Sequence, residues 1–434
     1  MFDQTSGPFR RCARGLLAAV ALTAWAVAAQ GQEGEGGAGG PGLRVSGFGT
    51  LGLSHVQAPQ GWGFRRELTQ SASDKPWRHD VDTRLGVQAN YSLGSQFELV
   101  AQVIARKRAT HAEDGDSLEW AYVAYRPNAD WTLRAGRVNV DAFLMADYRN
   151  VGYGFTAARP PVELYAMLPT TLDGVDLARS WFQGDAQWRA KLMVGSTQIG
   201  DFATGDPGRV RDVVGAMVSR EEAGLLVRAS ASRARIRLDL GSTQPAVDAL
   251  TQLGGLPIPA VAAQAQLLRD RLGASVIPAT FLELGLRYEQ GDWQWSAEVV
   301  RIKAVPLVRQ TSAYATVGHR IGEWTPFVGY SRTRDAMPVL ATPDWQAALT
   351  PVIGPAAAAQ SQALGALVTA SVNQARVQQS GWSLGARWDF HAQAALKLQW
   401  DRFRIDADGP GLWTGANGQA GRAHVATAVV DFIF

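Results

Sequence analysis

Cysteine is nearly absent from this chain. The 434 residues hold one, Cys12, ahead of the first apolar run. Disulfides, a cysteine nucleophile and thiolate metal sites are therefore excluded from everything that follows. A lipoprotein anchor, which needs a cysteine just after such a run, is not expected. Lysine is also scarce: five of the 42 basic residues, the rest arginine. Acidic and basic groups nearly cancel, at +3, so nothing suggests a nucleic-acid surface. Charged residues make up 19%, against roughly 25% in soluble domains. The six histidines are scattered, with no helical metal-ligand spacing, and no cofactor site is expected. No apolar run qualifies as a transmembrane helix. Leu349 to Ala375 is uncharged but holds two prolines and many Gln, Ser and Ala, which suits an amphipathic loop helix at best.

What is present begins with an export signal. Arg10, Arg11 and Arg14 precede an apolar run from Gly15 to Ala29, with small residues for cleavage at Val27-Ala28-Ala29. Residues 1–29 are expected to be a signal peptide and 30–42 a flexible glycine-rich leader. The remaining residues, 43–434, show no linker or composition shift and are expected to form one domain.

That domain alternates with period two. The last ten residues place Phe434, Phe432, Val430, Ala428 and Ala426 on one face, and Asp431 and Thr427 on the other. An unpaired apolar strand at a chain end is an aggregation hazard unless it closes a sheet. The same period predicts about sixteen strands, near 43–55, 80–92, 95–108, 116–127, 130–138, 173–183, 186–197, 210–219, 222–234, 279–289, 292–303, 308–320, 323–333, 378–389, 392–405 and 421–434. Their connections alternate. Tight turns at Gly94, Pro127-Asn128, Gly184-Asp185, Gly291, Gly322 and His391 separate long segments at 56–79, 139–172, 235–278 and 334–377. Membrane β-barrels show this asymmetry. Trp131, Trp293, Trp295, Trp324 and Phe327 gather near the turns, where an interfacial girdle belongs. The predicted fold is all-β: a transmembrane antiparallel barrel with helical insertions in its long outer loops. Those helices are expected at Pro259–Leu272 and along Leu364, Leu367, Val368 and Val372.

Several motifs fail on context. Gly47-Phe-Gly49-Thr-Leu-Gly52 matches a dinucleotide fingerprint, but strand alternation runs through it and no helix follows. His79-Asp80 and His111 can sit at the outer rim, as in barrel hydrolases, and an enzyme is carried as an alternative; the G-x-S-x-G elbow is missing. A soluble secreted β-adhesin is a further alternative.

Four segments resemble the Gram-negative outer-membrane porins: Ser46-Gly-Phe-Gly-Thr-Leu-Gly52, Leu133-Arg-Ala-Gly-Arg137, Gly318-His-Arg-Ile-Gly-Glu-Trp-Thr-Pro326 and the terminal Phe434. Taken in order, they cover most of residues 43–434. The resemblance implies a homotrimeric outer-membrane channel for passive diffusion of small hydrophilic solutes and ions, not an enzyme. It implies lipid as the surroundings and an assembly signal at Phe432 and Phe434, read by the barrel assembly machinery. It also implies a third loop that folds into the lumen as a constriction, and the matching segment is 139–172. The loops at 235–278 and 334–377 are longer and more helical than the family pattern, which also allows a substrate-selective channel.

The third connection mixes charges with aromatics and is too apolar to dangle in solvent. Its candidate constriction residues are Asp141, Asp147, Arg149, Arg159 and Glu163, facing Arg84, Arg106, Arg108 and Arg134 at inward parity on the wall. Carboxylates opposite guanidinium groups across a narrow lumen set ion preference. The same residues can also form a structural salt-bridge network that pins the loop, and both roles can hold for the same residues.

Overall fold

The computed structural model describes residues 42–107, 117–166, 169–199 and 208–434. Expectations for the signal peptide, Arg108 and His111, and for nearly all of the leader, lie outside the described residues. Gly42, the last leader residue, opens the first strand.

Sixteen long strands form: β1 Gly42–Gln57, β2 Arg84–Leu93, β3 Phe97–Arg106, β4 Leu118–Tyr125, β5 Trp131–Asn139, β6 Thr171–Gln183, β7 Ala186–Ile199, β8 Gly208–Glu222, β9 Leu225–Arg237, β10 Val276–Gln290, β11 Trp293–Ala304, β12 Val308–His319, β13 Trp324–Asp335, β14 Val377–His391, β15 Ala394–Pro410 and β16 Gly421–Ile433. Each pairs antiparallel with its sequence neighbour, and β1 pairs with β16, so the sheet is a closed ring with no free edge. The tight turns lie at one end. Gly94, Gly184, Gly224, Gly291 and Gly322 there have φ between 61° and 77°, a region that side-chain-bearing residues resist. The long connections lie at the other end.

The seam between β1 and β16 explains the glycine motif that mimics a nucleotide fingerprint. Gly47 and Phe434 exchange backbone hydrogen bonds at 2.8 and 3.0 Å. On the outer wall the Phe434 ring lies over Gly47 and the Phe432 ring over Gly49, where any Cβ would collide with them. The glycines make room for rings from the neighbouring strand.

Period two sorts the two faces as the sequence suggests. Leu282, Leu284 and Leu384 point outward and are 53%, 54% and 59% exposed. An outer wall so apolar belongs in lipid, not water. Trp293, Trp295 and Trp324 stand exposed at its turn end, as expected of a girdle, and Trp324 stacks on Trp388 at 5.3 Å. Phe327 corrects that expectation. It faces the lumen, is buried, and packs over Gly385. Its parity matches Thr325 and Ser331, whose side chains also turn inward.

Helices belong to the long connections. The third holds a single turn, α1 Val162–Tyr165. The fifth holds α2 Gln244–Gly254 and α3 Pro259–Leu272, and the seventh α4 Gln346–Ile353 and α5 Pro355–Gln374. Leu250, Val261, Leu268, Trp345, Leu349 and Val368 form their shared core. The indole of Trp345 donates to Gln264 at 2.8 Å, tying the seventh connection to the fifth. No described helix is long and apolar enough to cross a membrane.

Candidate functional site

The third connection, described at 140–166 and 169–170, enters the barrel and bonds to opposite walls. Two packing clusters join it to its surroundings. One joins Phe143, Tyr165, Phe281, Val300 and Tyr314. The other joins Val162 to Trp62 and Phe64 of the first connection, Phe403 of β15 and Trp413 of the last connection. Within the first connection, Trp62 and Phe64 are buried.

Of the five charged loop candidates, four are buried and bonded. Arg159 holds Asp82 of the first connection through two nitrogens, at 2.7 Å for the shorter contact, and Asp401 of β15 at 3.1 Å. It also donates to Thr427 of β16 at 2.5 Å. Asp141 accepts from Arg228 of β9 at 2.7 Å and pairs with Lys191 of β7. Glu163 accepts from Ser331 at 2.7 Å and Gln379 at 2.8 Å, on β13 and β14. Burial pushes its carboxyl above the usual range, and those two donors only partly counter it. Arg149 turns back on its own loop, donating to the Tyr165 carbonyl at 2.8 Å.

These bonds reach opposite walls. Asp141 is tied to β7 and β9, while Arg159 is tied to β15 and β16. Between them, Lys397 of β15 donates to the Gly152 carbonyl at 2.6 Å and pairs with Asp431 at 2.9 Å. Gly152 presses so closely on Asp431 that no side chain fits there. The expected wall arginines take part as well. Arg84 donates to the Asn150 carbonyl at 2.6 Å, Arg106 meets Asn150 and Glu67, and Arg134 grips Asp176. Asp141, Arg159 and Glu163 thus bond the loop to the wall, while Arg149 bonds within the loop.

Asp147 is the fifth candidate and differs. Its side chain is 49% exposed to the lumen, and Arg189 of β7, 40% exposed, stands 3.9 Å away. Nearby, Arg287 of β10 reaches the Tyr148 hydroxyl at 3.4 Å. A cavity of about 100 Å³ runs between the loop and the β10–β15 wall, lined by Tyr148, Phe155, Arg287, Gln294, Ser296 and Thr316 among others.

Sequence reasoning missed Lys191, Arg189, Arg228, Asp401, Lys397 and Asp431 as partners. Their signal is a charge at inward parity: alone on β9 and β16, and in same-face pairs, Arg189 with Lys191 and Lys397 with Asp401, on β7 and β15. Of the rim residues considered for hydrolysis, Asp80 is held by Arg78 at 2.7 Å and Lys107 at 3.1 Å, and His79 is exposed. No metal-binding group of His, Cys, Asp and Glu occurs among the described residues.

No protein-family model and no curated protein sequence matches the chain. Solved structures do. OmpF of Salmonella typhi, in complex with daunomycin, aligns with a TM-score of 0.51 at 10% identity, over 90% of this chain and 97% of that one. The outer-membrane channel DcaP of Acinetobacter baumannii aligns at 0.50 and 10% identity, over 91% and 98%. At such identities the likeness is one of fold. Sixteen antiparallel strands, short turns at one end and a third connection inside the ring give this chain the β-barrel fold of those porins and channels.

Proposed function

We propose that this barrel is an outer-membrane channel that passes small hydrophilic solutes and ions by energy-independent flow, with the third connection as its constriction. The observation that carries the reading is that this connection is pinned to opposite walls, by Asp141 on one side and Arg159 on the other. A loop held so firmly keeps a fixed cross-section beside it. On this reading the constriction residues divide their work. Asp141, Arg149, Arg159 and Glu163 hold the loop, with Arg84, Arg106 and Arg134 of the wall, and Arg108 belongs to the same proposal. Asp147, with Arg189 and Arg287, faces the solute and sets ion preference through an exposed transverse pair.

The rest of the proposal follows from that placement. The chain is exported behind a cleaved signal, residues 1–29. It is inserted in the outer membrane with Phe432 and Phe434 as its assembly signal, and it works as a homotrimer. No step of this function needs a catalytic residue.

Single-channel conductance in a planar bilayer, with reversal potential under a salt gradient, tests the reading. Stable stepwise currents are expected, and Asp147→Asn should move the reversal potential toward anion preference. A folded, inserted barrel with no current in any condition would overturn it. A substrate-selective channel is the second reading, favoured by the mixed aromatic and polar lining of the cavity beside the loop. Block of the current by one solute class, and not by others of equal size, would favour it.

A further inference from the structure

The cavity beside the third connection is a pouch rather than a passage. It lies between two limbs of that connection, residues 144–148 and 154–163, and the wall from β10 to β15. Its far end is lined by Glu163 and Asp401, both buried and both already bonded. At its other end stand Arg287 and Glu289 of β10, just ahead of the tight turn at Gly291. Glu289 is exposed, so the pouch opens toward the turn end of the barrel.

The mouth of the pouch carries a loose ion pair. Arg287 and Glu289 are two residues apart, so their side chains share the inward face of the strand. Arg287 Nε stands 3.7 Å from Glu289 Oε1, beyond hydrogen-bond distance. Its contact with the Tyr148 hydroxyl is also long, at 3.4 Å. The same motif on β14 is closed. Arg387 meets Asp389 at 2.6 Å and donates to the carbonyls of Tyr153 and Phe155 at 2.7 and 3.2 Å. One pair is spent on holding the loop; the other presents both charges, side by side, to the mouth. Behind it the lining turns apolar. Leu144, Met145 and Phe327 are buried there, and Phe155 is half-buried. The cavity measures about 100 Å³. An apolar cavity of roughly 150 Å³ takes up benzene, so the smaller space here suits a branched aliphatic side chain rather than an aromatic ring.

We propose that the pouch binds an aliphatic α-amino acid, with its carboxylate on Arg287, its ammonium on Glu289 and its side chain among Leu144, Phe155 and Phe327. An α-amino acid carries opposite charges on groups joined through one carbon. A loose arginine–glutamate pair presents the complementary charges side by side, and a guanidinium takes a carboxylate through two parallel bonds. A ligand with one charge fits less well: a plain carboxylate meets Glu289 with like charge, and a plain amine meets Arg287 in the same way. The inference deepens the substrate-selective reading by naming a class, and it rests on that reading for what the ligand does next in the barrel. Binding itself needs no current.

The test is isothermal titration calorimetry of the full-length barrel in non-ionic detergent, with L-leucine as the probe. Three analogues each lack one feature: 4-methylpentanoate the amine, 3-methylbutylamine the carboxylate, and glycine the side chain. Each should bind at least about tenfold more weakly than leucine, because a hydrogen bond to a charged group, or a buried aliphatic side chain, is worth a decade of affinity or more. Phenylalanine should also bind more weakly. Arg287→Gln and Glu289→Gln should each weaken leucine by a similar factor, and Glu289→Gln should bring it level with 4-methylpentanoate. No binding of leucine to the wild type would overturn the proposal. So would equal binding of leucine and 4-methylpentanoate, or an unchanged leucine affinity in both variants. If a variant fails to fold, the analogue series on the wild type decides. The channel reading stands or falls separately. A barrel that binds leucine but passes no current keeps the pouch and loses the channel, and a conducting barrel blind to leucine loses the pouch alone.

Discussion

The same residue, arginine, behaves in opposite ways on the two faces of this barrel. Inside, Arg159 meets Asp82 and Asp401, Arg228 meets Asp141 and Glu283, and Arg134 meets Asp176. Outside, Arg209, Arg237, Arg332 and Arg334 have no carboxylate within ion-pair distance among the described residues. A buried charge must be matched or it destabilises the fold. An exposed one at a membrane interface need not be, because the surroundings supply the counter-charge. Arg159, Arg228 and Arg134 are therefore structural ties, whereas Arg209, Arg237, Arg332 and Arg334 are exposed without a carboxylate partner among the described residues.

The largest expected effect breaks the inner half of that contrast. Arg159→Ala strands two buried carboxylates, and removing one partner of such a network costs about 3–5 kcal/mol. Thermal unfolding should report it, and single-channel recordings should show a wider, noisier conductance as the loop comes away from β15 and β16. Unchanged stability together with an unchanged current would show that the ties do not hold the loop.

Next comes a change on the outer wall that involves no charge. Gly49→Leu must displace the Phe432 ring from the seam, an overpacking cost of about 1–3 kcal/mol. Heat-dependent gel mobility of the folded barrel would record the lower melting point. Gly61→Ala, at a loop glycine with nothing nearby, is the matched control for handling, though its φ of 80° makes it mildly strained.

A third change sharpens what pairing means inside. Glu163 is bonded by hydroxyl and amide donors rather than by a cation, and burial raises its carboxyl above the ordinary value of 4.5. Its protonated form is therefore favoured in the folded loop. The stabilisation is full below that ordinary value and is lost as pH rises through the raised one. Wild-type current should become quieter on mild acidification, and Glu163→Gln should stay quiet and independent of pH across the same window. Identical pH profiles for the two proteins would remove Glu163 as the cause.

The smallest effect is expected outside. Arg332→Gln with Arg334→Gln, measured in zwitterionic detergent, should change stability by no more than about 0.5 kcal/mol, the usual range for surface substitutions without partners. A large loss there would mean that the outer arginines are tied within the protein after all.

The strand pattern was legible because period two is local: neighbouring residues alone report which face is which. All sixteen strands lie close to their predicted places, and the helix at Pro259–Leu272 begins and ends as its pattern indicates. Pairing was not legible. Arg159 finds Thr427 across 268 residues, and Asp141 finds Arg228 across 87. Inward parity nominates Arg84 and Arg134, but it cannot say that the loop's own charges are consumed by partners rather than offered to the lumen. Phe327 failed for a related reason. Its nearness to a turn suggested the girdle, whereas its parity with Thr325 put it inside. Trp62 and Phe64 were not singled out because a loop segment has no period to read, and their burial depends on Val162, Phe403 and Trp413 from distant parts of the chain.

The seam between β1 and β16 has a consequence for how the molecule comes to exist. Thr50 donates to Asp431 at 2.5 Å across 381 residues, and the register there runs from Phe48 opposite Ile433 to Gln57 opposite His424. Fourteen strands separate the two that meet, so the contact that completes the ring is the most distant in sequence and the last that the emerging chain can make. Loop-closure entropy delays such contacts. Until this one forms, the first strand waits with a bare edge, exposed to every other unfinished copy nearby. The hazardous interval in the life of this protein is thus written into its topology: it opens when the first strand appears and ends only when the last one arrives.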